Sequence, residues 1–297
     1  MKRNTRYINR KNKRVFQLLC IAAVLITALT CYIFHAFNPN LVISYIDVGQ
    51  GDAVYIRTPD NFRVLLDGGD EGSFEQVIAK YFLTNGVLSL DAAIVSHYHS
   101  DHLCGVKEAL ENGFPIKRLY LPKTDNDSVW HGKLLDAAEQ NGTEVGYLAG
   151  GDTLTLNDEI SFEIILPNLE IYPIDKDNEN NNSLLMRLSY GESKFLFTGD
   201  LEADAEAALP ESVDVRAEVL KVGHHGSRTS TSQEFLERVA PSTAIIGVGE
   251  KNKYGHPDKS VIKRLEENVA HIYRTDIDGT ITLHVKENGE VHISASR

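Results

Sequence analysis

The sequence predicts an α+β protein in which two β-sheets pack face to face and helices cover their outer sides. Short runs of branched and aromatic apolar residues, separated by Gly, Asn and Asp turns, predict strands throughout residues 41–294. Helical segments lie between these strands in two comparable halves, on either side of a polar, asparagine-rich loop at residues 175–182. Most neighbouring strands are expected to run antiparallel.

The first half is expected to begin with a hairpin and to continue with alternating strands and helices. A glycine turn at residues 49–52 separates the first two strands, and Ser73 is suited to cap the first helix. The predicted strands are 41–48, 53–57, 62–66, 91–95, 118–121, 144–147, 153–156 and 160–166, and the predicted helices are 73–83, 103–110 and 128–140.

The second half repeats the same types of element after the asparagine-rich loop. The predicted strands are 183–189, 194–198, 217–222, 243–248, 269–273, 280–285 and 290–294, and the predicted helices are 202–209, 231–239 and 258–267. Two halves of similar make-up favour two packed sheets with helices outside.

The N-terminus carries a basic head followed by an apolar segment. Residues 1–14 contain seven Lys and Arg and no acidic residue, and residues 15–37 form a 23-residue run without Asp, Glu, Lys or Arg. A helix of that length, at about 1.5 Å per residue, crosses the roughly 30 Å hydrocarbon layer of a membrane. The positive-inside rule then predicts a cytoplasmic head at 1–14, a transmembrane signal anchor at 15–37 and an extracellular domain at 38–297. The alternative is a cleaved secretory signal and a secreted protein.

The remainder of the chain is acidic. All 42 Asp and Glu residues follow the basic head, and the formal net charge of the chain is −12. A protein with this charge has no general attraction for nucleic acid, so a polyanionic substrate would need metal ions or a local basic groove. Cys20 and Cys31 lie in the apolar segment, which leaves Cys104 without a disulfide partner in the globular part.

A cluster of metal-ligand residue types follows the strand predicted at 91–95. His97, His99, Asp101 and His102 occur within six residues, although the whole chain has only 11 His. Residues two apart in an extended segment point the same way, so His97 and His99 can bind one ion. Asp101 and His102 lie where the loop turns into a helix and can face a neighbouring ion. The sequence therefore predicts a metal site at the end of a buried strand.

Other predicted strands end in residues of the same kinds. Asp67 closes one strand, Asp200 follows another in a Thr-Gly-Asp turn, and His224 and His225 follow a third. Each of these features alone would be an ordinary turn or a histidine pair. Together with the first loop they indicate a metal site with two ions, assembled from several strand ends.

These residues give the chain a resemblance to the metallo-β-lactamase-fold hydrolases and, more narrowly, to the hydrolase domain of ComEC-type competence proteins. The resemblance covers about residues 41–285 and implies a four-layer αββα sandwich with a two-metal site between the sheet edges. The motifs that carry it are Asp-Val-Gly-Gln-Gly-Asp-Ala at 47–53, Leu-Asp-Gly-Gly at 66–69, His-x-His-x-Asp-His at 97–102, Asn-Ser-Leu at 182–184, Thr-Gly-Asp at 198–200, Lys-x-Gly-His-His-Gly-Ser at 221–227 and Tyr-Gly-His-Pro at 254–257.

Carried over by position, the resemblance implies how two divalent ions would be bound. His97 and His99 would bind the first ion, Asp101, His102 and His224 would bind the second, and Asp200 would bridge them. His225 is the alternative to His224. Zn²⁺ suits this set of His and Asp ligands, and Mn²⁺ would bind similar ones.

The chain departs from the family pattern at one ligand. Many members use a further His between the first loop and the bridging Asp, whereas this chain has only His131 there, in a predicted helix. Asn182 and Ser183 stand at the expected place, so Asn182, water or a substrate oxygen would complete the first ion. This departure weakens any expectation of β-lactamase activity.

Further residues are expected to support catalysis. Asp101 would orient the attacking water while remaining a ligand, and Asp67 would fix a ligating His by a hydrogen bond. His225 or His256 would protonate the leaving alkoxide, because imidazole titrates near neutrality. The equal alternative for His256 is a turn residue fixed by Pro257.

The sequence thus predicts a metal-dependent hydrolase that cleaves a phosphodiester outside the cytoplasm, with DNA as the substrate that the family favours and a phosphorylated wall or lipid component as its competitor. Lys221, Arg228, Lys251 and Lys253 near the cleft-forming loops favour a phosphodiester. The acidic body favours the alternative of a lactone, thioester or amide hydrolase, and the missing His leaves open a degenerate membrane-tethered binding module. One spanning segment makes no pore, so any DNA-conducting pore would come from a partner.

Overall fold

The computed structural model describes residues 12–27, 39–124 and 128–297. The chain forms two compact units, Met1–Asn38 and Pro39–Arg297. Residues 12–27 of the first unit are helical, and the rest of the predicted head and anchor lies outside the described residues. Within the described parts of the chain, no helix is long and apolar enough to cross a membrane. The transmembrane anchor at 15–37 therefore stays a prediction.

The second unit contains strands and helices close to those predicted. The strands are β1 (Leu41–Tyr45), β2 (Val54–Arg57), β3 (Arg63–Leu66), β4 (Leu90–Ile94), β5 (Ile116–Pro122), β6 (Glu144–Leu148), β7 (Thr153–Thr155), β8 (Ile160–Leu166), β9 (Leu185–Tyr190), β10 (Ser193–Phe197), β11 (Val219–Lys221), β12 (Thr243–Ile246), β13 (His271–Arg274), β14 (Ile281–Val285) and β15 (Val291–Ala295). The helices are α1 (Ala79–Thr84), α2 (Ser100–Glu111), α3 (Val129–Asn141), α4 (Ala203–Ala208), α5 (Gln233–Val239), α6 (Lys259–Asn268) and α7 (Thr275–Asp278).

Some local structure was not anticipated from the sequence. A π-helical turn, Phe74–Ile78, leads directly into α1, and the four-residue helix α7 follows β13. The asparagine-rich loop ends in a short 3₁₀ turn, Glu179–Asn182. These short segments carry too few residues to show a helical period in the sequence.

The strands form two mixed sheets. The first has the order β15-β14-β1-β2-β3-β4-β5-β6, and the second has the order β13-β12-β11-β10-β9-β8-β7. In the first sheet the strands from β3 to β6 are parallel, and in the second the strands from β10 to β13 are parallel. The expectation of mostly antiparallel strands is wrong for these regions. A helix separates each pair of consecutive parallel strands, and such a crossover returns the chain to the same end of the sheet.

Three apolar clusters give the sandwich its layers. Ile43 of β1, Ile94 of β4 and Phe197 of β10 belong to the cluster between the two sheets. Ala93 of β4 points the other way, into a cluster with the helices of the first half, and Leu196 of β10 packs with those of the second half. This alternation along a strand is the two-residue period of side-chain direction. The predicted arrangement of two packed sheets with helices outside is confirmed.

Candidate metal centre

The functional side chains follow the carboxyl ends of parallel strands. Asp67 follows β3, the loop with His97 follows β4, Asp200 follows β10, and the His224-His225 pair follows β11. Because β3 and β4 are parallel neighbours, as are β10 and β11, these ends meet at one edge of each sheet. Such an edge is where open α/β sheets place their ligands.

The loop after β4 brings two imidazoles together. His97 Nε2 lies 3.1 Å from His99 Nδ1. Two nitrogen ligands at about 2.05 Å from a tetrahedral ion lie about 3.3 Å apart, so this spacing suits a shared ion. His99 is still extended, at φ −89° and ψ 151°, and α2 begins at the next residue. Asp101 and His102 therefore stand on the first turn of α2, as predicted.

Asp67 is hydrogen-bonded to the start of this loop. Its carboxylate accepts hydrogen bonds from the Ser96 backbone N–H at 2.7 Å and the Ser96 hydroxyl at 2.8 Å. The same carboxylate lies 2.9 Å from His102 Nδ1. A proton on Nδ1 leaves His102 Nε2 as the atom that can bind a metal. The structure thus places Asp67 in the orienting position that the sequence predicts for it.

Asp200 lies at the centre of the site and is buried. Its Oδ1 lies 3.2 Å from His102 Nε2, and its Oδ2 lies 3.9, 3.7 and 3.6 Å from the Nε2 atoms of His97, His224 and His225. Its backbone N–H donates to the Ser183 hydroxyl at 3.0 Å. A carboxylate with imidazoles facing both of its oxygens has the arrangement of a bridging ligand. Ser183 therefore acts on the site by fixing the backbone of Asp200.

The two adjacent histidines face different surroundings. His225 is buried, its Nδ1 lies 2.8 Å from the Gly247 carbonyl oxygen, and its Nε2 lies 3.3 Å from Asp101 Oδ2. His224 is partly exposed, and its Nδ1 lies 3.1 Å from Glu202 Oε1. The sequence interpretation favoured His224 for the ion held by Asp101 and His102. The structure instead puts His225 beside Asp101, because the Gly247 carbonyl after β12 turns its ring inward.

A buried ion pair beneath the site was missed by the sequence interpretation. Asp52 and Lys221 are both buried, and Lys221 Nζ lies 2.5 Å from Asp52 Oδ2. Asp52 lies on the Nδ1 side of both His102, at 3.9 Å, and His225, at 3.6 Å. The motif at 47–53 contained the available signal, but no role was assigned to its last acidic residue. Lys221, which the sequence placed near the cleft-forming loops as support for a phosphodiester, is buried, and its ammonium binds Asp52 inside the protein.

The asparagine-rich loop also differs from the expectation. The Asn182 side chain accepts from the Asp175 backbone N–H at 2.8 Å and donates to Glu179 Oε2 at 3.0 Å. These bonds hold the amide of Asn182 within its own loop, so the expectation that it completes the first ion is not supported. Asn180 instead lines the cleft and donates to Glu202 Oε1 at 3.3 Å.

A cleft of about 350 Å³ opens above the cluster. The first half of the chain contributes Gln50, His99, Ser100, Asp101 and Trp130, and the second half contributes Asn180, Asp200, His224, His225, Tyr254 and His256. His256 stacks on Tyr254 and its ring centre lies 5.6 Å from that of His224. His256 thus lies on the cleft wall, where it can reach a bound substrate.

The cluster has the chemistry of a metal site. Asp52, His102, Asp200 and His225 offer ligand-type atoms that all lie within 4.8 Å of one another. His102 Nε2, His225 Nε2 and Asp200 Oδ1 are fully buried and have no hydrogen-bond partner within the described residues. Buried polar atoms without partners are costly, and a cation bound between them would remove that cost. The residues therefore fit a divalent metal, with Asp52 behind the rings rather than among the ligand atoms.

Burial and charge act in opposite directions on these groups. Burial and then the neighbouring His102 hold the pKa of His97 well below its ordinary value. Burial opposes the charged form of His225 as well, but Asp200 and Asp52 outweigh it and raise its pKa to about 10. The pKa of Asp200 lies well below its ordinary value because, although burial opposes ionisation, His102 and His225 favour the carboxylate. Asp200 is therefore ionised, and a cation bound between it and His225 would replace the proton of that imidazole.

The protein has the features of one class, the metal-binding hydrolases built on a two-sheet sandwich. These features are two mixed sheets with helices outside and a buried cluster of His and Asp at the strand ends. Residues 46–250 match the model of the metallo-beta-lactamase superfamily, and the chain belongs to that superfamily. Zn²⁺-bound PqqB from Methylobacterium extorquens has the same fold, with a TM-score of 0.51 and 13% identity over 78% of this chain and 87% of that one.

The sequence relatives confirm the resemblance to competence proteins. The chain is 31% identical to ComE operon protein 3 of Bacillus subtilis (strain 168), and the matched region covers 93% of this chain and 37% of that protein. It is 28% identical to Recombination protein 2 of Haemophilus influenzae, over 92% of this chain and 33% of that protein. Competence protein ComA of Neisseria gonorrhoeae is 29% identical, over 86% of this chain and 35% of that protein. The chain thus spans about a third of the length of these relatives.

Proposed function

We propose that this chain is a metal-dependent phosphodiesterase whose substrate is a nucleic-acid strand. The observation that carries the proposal is the convergence of four imidazoles on the two oxygens of Asp200, inside a cluster that opens into the cleft. We further propose that the site takes two divalent ions, Zn²⁺ or Mn²⁺, because its donors are nitrogen and carboxylate oxygen.

The residues of the site would divide the work between positioning and proton transfer. Two divalent ions bound here would lower the pKa of water towards neutrality and neutralise charge on a phosphoryl oxygen. Asp101 lines the cleft and keeps 22% of its side chain exposed, so its carboxylate can accept a hydrogen bond from the attacking water. Asp67 keeps His102 in the tautomer that leaves Nε2 available.

His256 is the better placed of the two proposed proton donors. His225 is buried, with Nδ1 bonded to the Gly247 carbonyl oxygen and Nε2 facing carboxylates. His256 lies on the cleft wall, and its backbone N–H donates to the Asn252 side chain, which fixes the turn. We therefore assign protonation of the leaving alkoxide to His256.

Two aromatic residues with nearby lysines favour a nucleic acid over other phosphodiesters. Trp130 lines the cleft from the first half of the chain, with Lys133 Nζ 4.4 Å from its ring centre. Tyr254 lines it from the second half, with Lys253 Nζ 5.1 Å from its ring. Aromatic rings stack on bases, and ammonium groups bind phosphates. These pairs supply a local basic and aromatic surface on an otherwise acidic protein.

The proposed place of action is outside the cytoplasm, with the chain held in the cell membrane by residues 15–37. The support for this proposal is the basic head and the 23-residue uncharged segment. The relatives are named for competence and recombination, which supports DNA as the substrate. The chain spans about a third of the length of these proteins. A pore-forming partner is part of the same proposal.

The second candidate is a lactone, thioester or amide hydrolase that uses the same site. The net charge of −12 favours it, because an acidic protein repels a long polyanion. A degenerate binding module is disfavoured, since the buried ligand-type atoms converge as a working metal site requires.

The test is turnover by the full chain in detergent micelles with Zn²⁺ or Mn²⁺ added. The substrates are bis-p-nitrophenyl phosphate, single-stranded DNA, double-stranded DNA and a lactone. We expect both DNA and the chromogenic diester to be cleaved, and His99→Ala and Asp200→Ala to abolish cleavage. His292→Ala, on the edge strand β15, is the matched control. Cleavage of the lactone alone would establish the second candidate instead.

A further inference from the structure

The ion that His97 and His99 would hold lacks the further His ligand that many members of the superfamily supply. We propose that His224 takes that place, so that the adjacent residues His224 and His225 bind different ions. His224 would join His97 and His99, His225 would join Asp101 and His102, and Asp200 would bridge. This inference rests on the proposed metal-dependent function and assigns the residues that complete it.

The backbone of the pair separates the two rings. His224 has φ 48° and ψ 46°, and His225 has φ 54° and ψ 24°, so both residues adopt the left-handed conformation. Residues other than glycine rarely adopt this conformation, and its energetic cost is typically tolerated at functional sites. The planes of the two imidazole rings make an angle of 70°, and the ring centres lie 6.2 Å apart. Yet both Nε2 atoms return to Asp200 Oδ2, at 3.7 and 3.6 Å.

Each ring is held through its other nitrogen. His224 Nδ1 lies 3.1 Å from Glu202 Oε1, and His225 Nδ1 lies 2.8 Å from the Gly247 carbonyl oxygen. Metal-binding histidines are oriented in this way, with Nδ1 bonded to a carboxylate or carbonyl so that Nε2 faces the ion. Glu202 is thus the nearest orienting partner of His224, and the Gly247 carbonyl is that of His225. Asn180 and Asp52 lie further from the same two nitrogens, at 3.4 and 3.6 Å.

The asparagine-rich loop, which lacks the expected His, stabilises the position of Glu202 and thereby of His224. The amides of Asn178 and Asn180 donate to the two oxygens of Glu202, at 2.7 and 3.3 Å. The Thr229 hydroxyl donates to Glu202 Oε1 at 2.8 Å. Glu202 is thereby fixed where it orients His224. The asparagine-rich loop thus supports the position that a histidine ligand fills in other members, both through Glu202 and through the Asn180 amide, which lies 3.4 Å from His224 Nδ1.

Contacts with the remaining ligands favour the division between two ions. His225 Nε2 lies 3.3 Å from Asp101 Oδ2, the spacing of two ligands on one ion. The Nε2 atoms of His97, His224 and His225 all face Asp200 Oδ2, whereas that of His102 faces Oδ1. The contact with Asp101, which His225 makes, is therefore what separates the two histidines. Each ion would then have three ligands of its own and share Asp200.

The test measures bound metal in the full chain, purified in detergent and loaded with Zn²⁺. Elemental analysis should give two ions per wild-type chain, and one each for His224→Ala and His225→Ala. The double variant His97→Ala/His224→Ala should retain one ion, because both changes affect the same site. The double variant His224→Ala/His225→Ala should retain none. His292→Ala should retain two.

Glu202→Gln provides a variant that keeps every proposed ligand. It should weaken one of the two Zn²⁺ affinities, measured by calorimetry, by about 10- to 100-fold. Circular dichroism checks that each variant is folded. If a histidine variant does not fold, the Zn²⁺ affinities of Glu202→Gln decide whether His224 is a ligand. Unchanged affinities in His224→Ala and Glu202→Gln would make His224 a substrate contact and overturn the inference. Loss of both ions in His97→Ala/His224→Ala would overturn it equally.

The proposed function fails by a different measurement. Two bound ions with no turnover of bis-p-nitrophenyl phosphate would refute the phosphodiesterase and leave the ligand assignment standing. Turnover by a wild-type chain that binds one ion would refute the ligand assignment and leave the phosphodiesterase standing.

Discussion

Asp67 and His102 are joined by a 2.9 Å contact between a carboxylate oxygen and Nδ1, and both residues are buried. This contact turns the other ring nitrogen of His102, Nε2, towards Asp200. It links the end of β3 to the first turn of α2, so the shape of the metal centre depends on the packing of these two elements.

The first prediction concerns this contact. Asp67→Asn removes the negative charge and one acceptor, so we expect Zn²⁺ affinity to fall by about 10- to 100-fold. Titration calorimetry on the full chain measures it. Asp136→Asn, on the exposed side of α3, is the control and should bind as the wild type does. Equal affinities in the two variants would show that Asp67 has no orienting role.

The second prediction concerns the close approach of α2 to the loop after β3. A Cβ atom on Gly105 would overlap the carbonyl oxygen of Gly68, so Gly105→Ala should force the two segments apart. Overpacking of this kind costs about 1–3 kcal/mol in the free energy of unfolding, measured by urea denaturation.

Gly132→Ala is the matched control for that change. Gly132 is exposed within α3, and a Cβ atom there would meet open space. Alanine should therefore stabilise the protein by about 0.5–1 kcal/mol through its helix propensity. Destabilisation by both variants, or by neither, would contradict the structural account of Gly105.

The third prediction concerns the buried pair of Asp52 and Lys221. Lys221→Met leaves an unpaired buried carboxylate and should cost about 3–5 kcal/mol of unfolding free energy. Adding Asp52→Asn should recover part of that loss, since the carboxylate that lost its lysine partner is then removed. Lys263→Met, which breaks an exposed pair with Glu267 on α6, should change stability little. A double variant no more stable than the single one would refute the ion-pair explanation.

The fourth prediction uses the fact that Trp130 is the only tryptophan in the chain. Its indole lines the cleft, so base stacking by single-stranded DNA should quench its fluorescence in the metal-free protein. Tyr254→Ala should weaken the binding measured in this way by about 5- to 150-fold, because stacking contributes about 1–3 kcal/mol per base. Unaltered fluorescence at saturating DNA would show that Trp130 does not contact bases.

The fifth prediction is a pH dependence remote from the metal cluster. Glu206 is buried and accepts hydrogen bonds from the backbone N–H groups of Thr231 and Ser232, at 2.6 and 2.8 Å. Burial raises its pKa above the ordinary 4.5, although those bonds and Arg264 on α6 oppose the rise. Protonation is thus easier in the folded state. The stability that Glu206 contributes is present at low pH and is lost as the pH rises through its folded pKa.

Glu206→Gln isolates this effect. The unfolding free energy of the wild type minus that of the variant should be larger at about pH 5 than at about pH 8. Urea denaturation at both values measures the difference. A difference that grows with pH would mean that the ionised form is the favoured one, contrary to the prediction.

Much of the fold could be predicted from the chain itself. The apolar runs of β4 and β10 have the length and composition of buried strands, and the turn after each contains the polar residues of the site. Strand direction was harder, because an apolar run of four to seven residues has the same pattern in parallel and antiparallel sheets. The intervening helices contain that information, because a helical crossover returns the chain to the same end of the sheet.

The sequence by itself determined that Asp67, Asp200 and the loop with His97, His99, Asp101 and His102 come shortly after buried strands, because an apolar run precedes each of them. Only the tertiary structure decided the orientations of His224 and His225. The left-handed backbone of the pair is not apparent from the sequence, and the two rings are oriented by Glu202 and Gly247, which come from other segments. The same reason separates Asn182 and Lys221 from their expected places. Asn182 is held by Asp175 and Glu179 of its own loop, and Lys221 is held by Asp52. These pairings form only when the chain is folded.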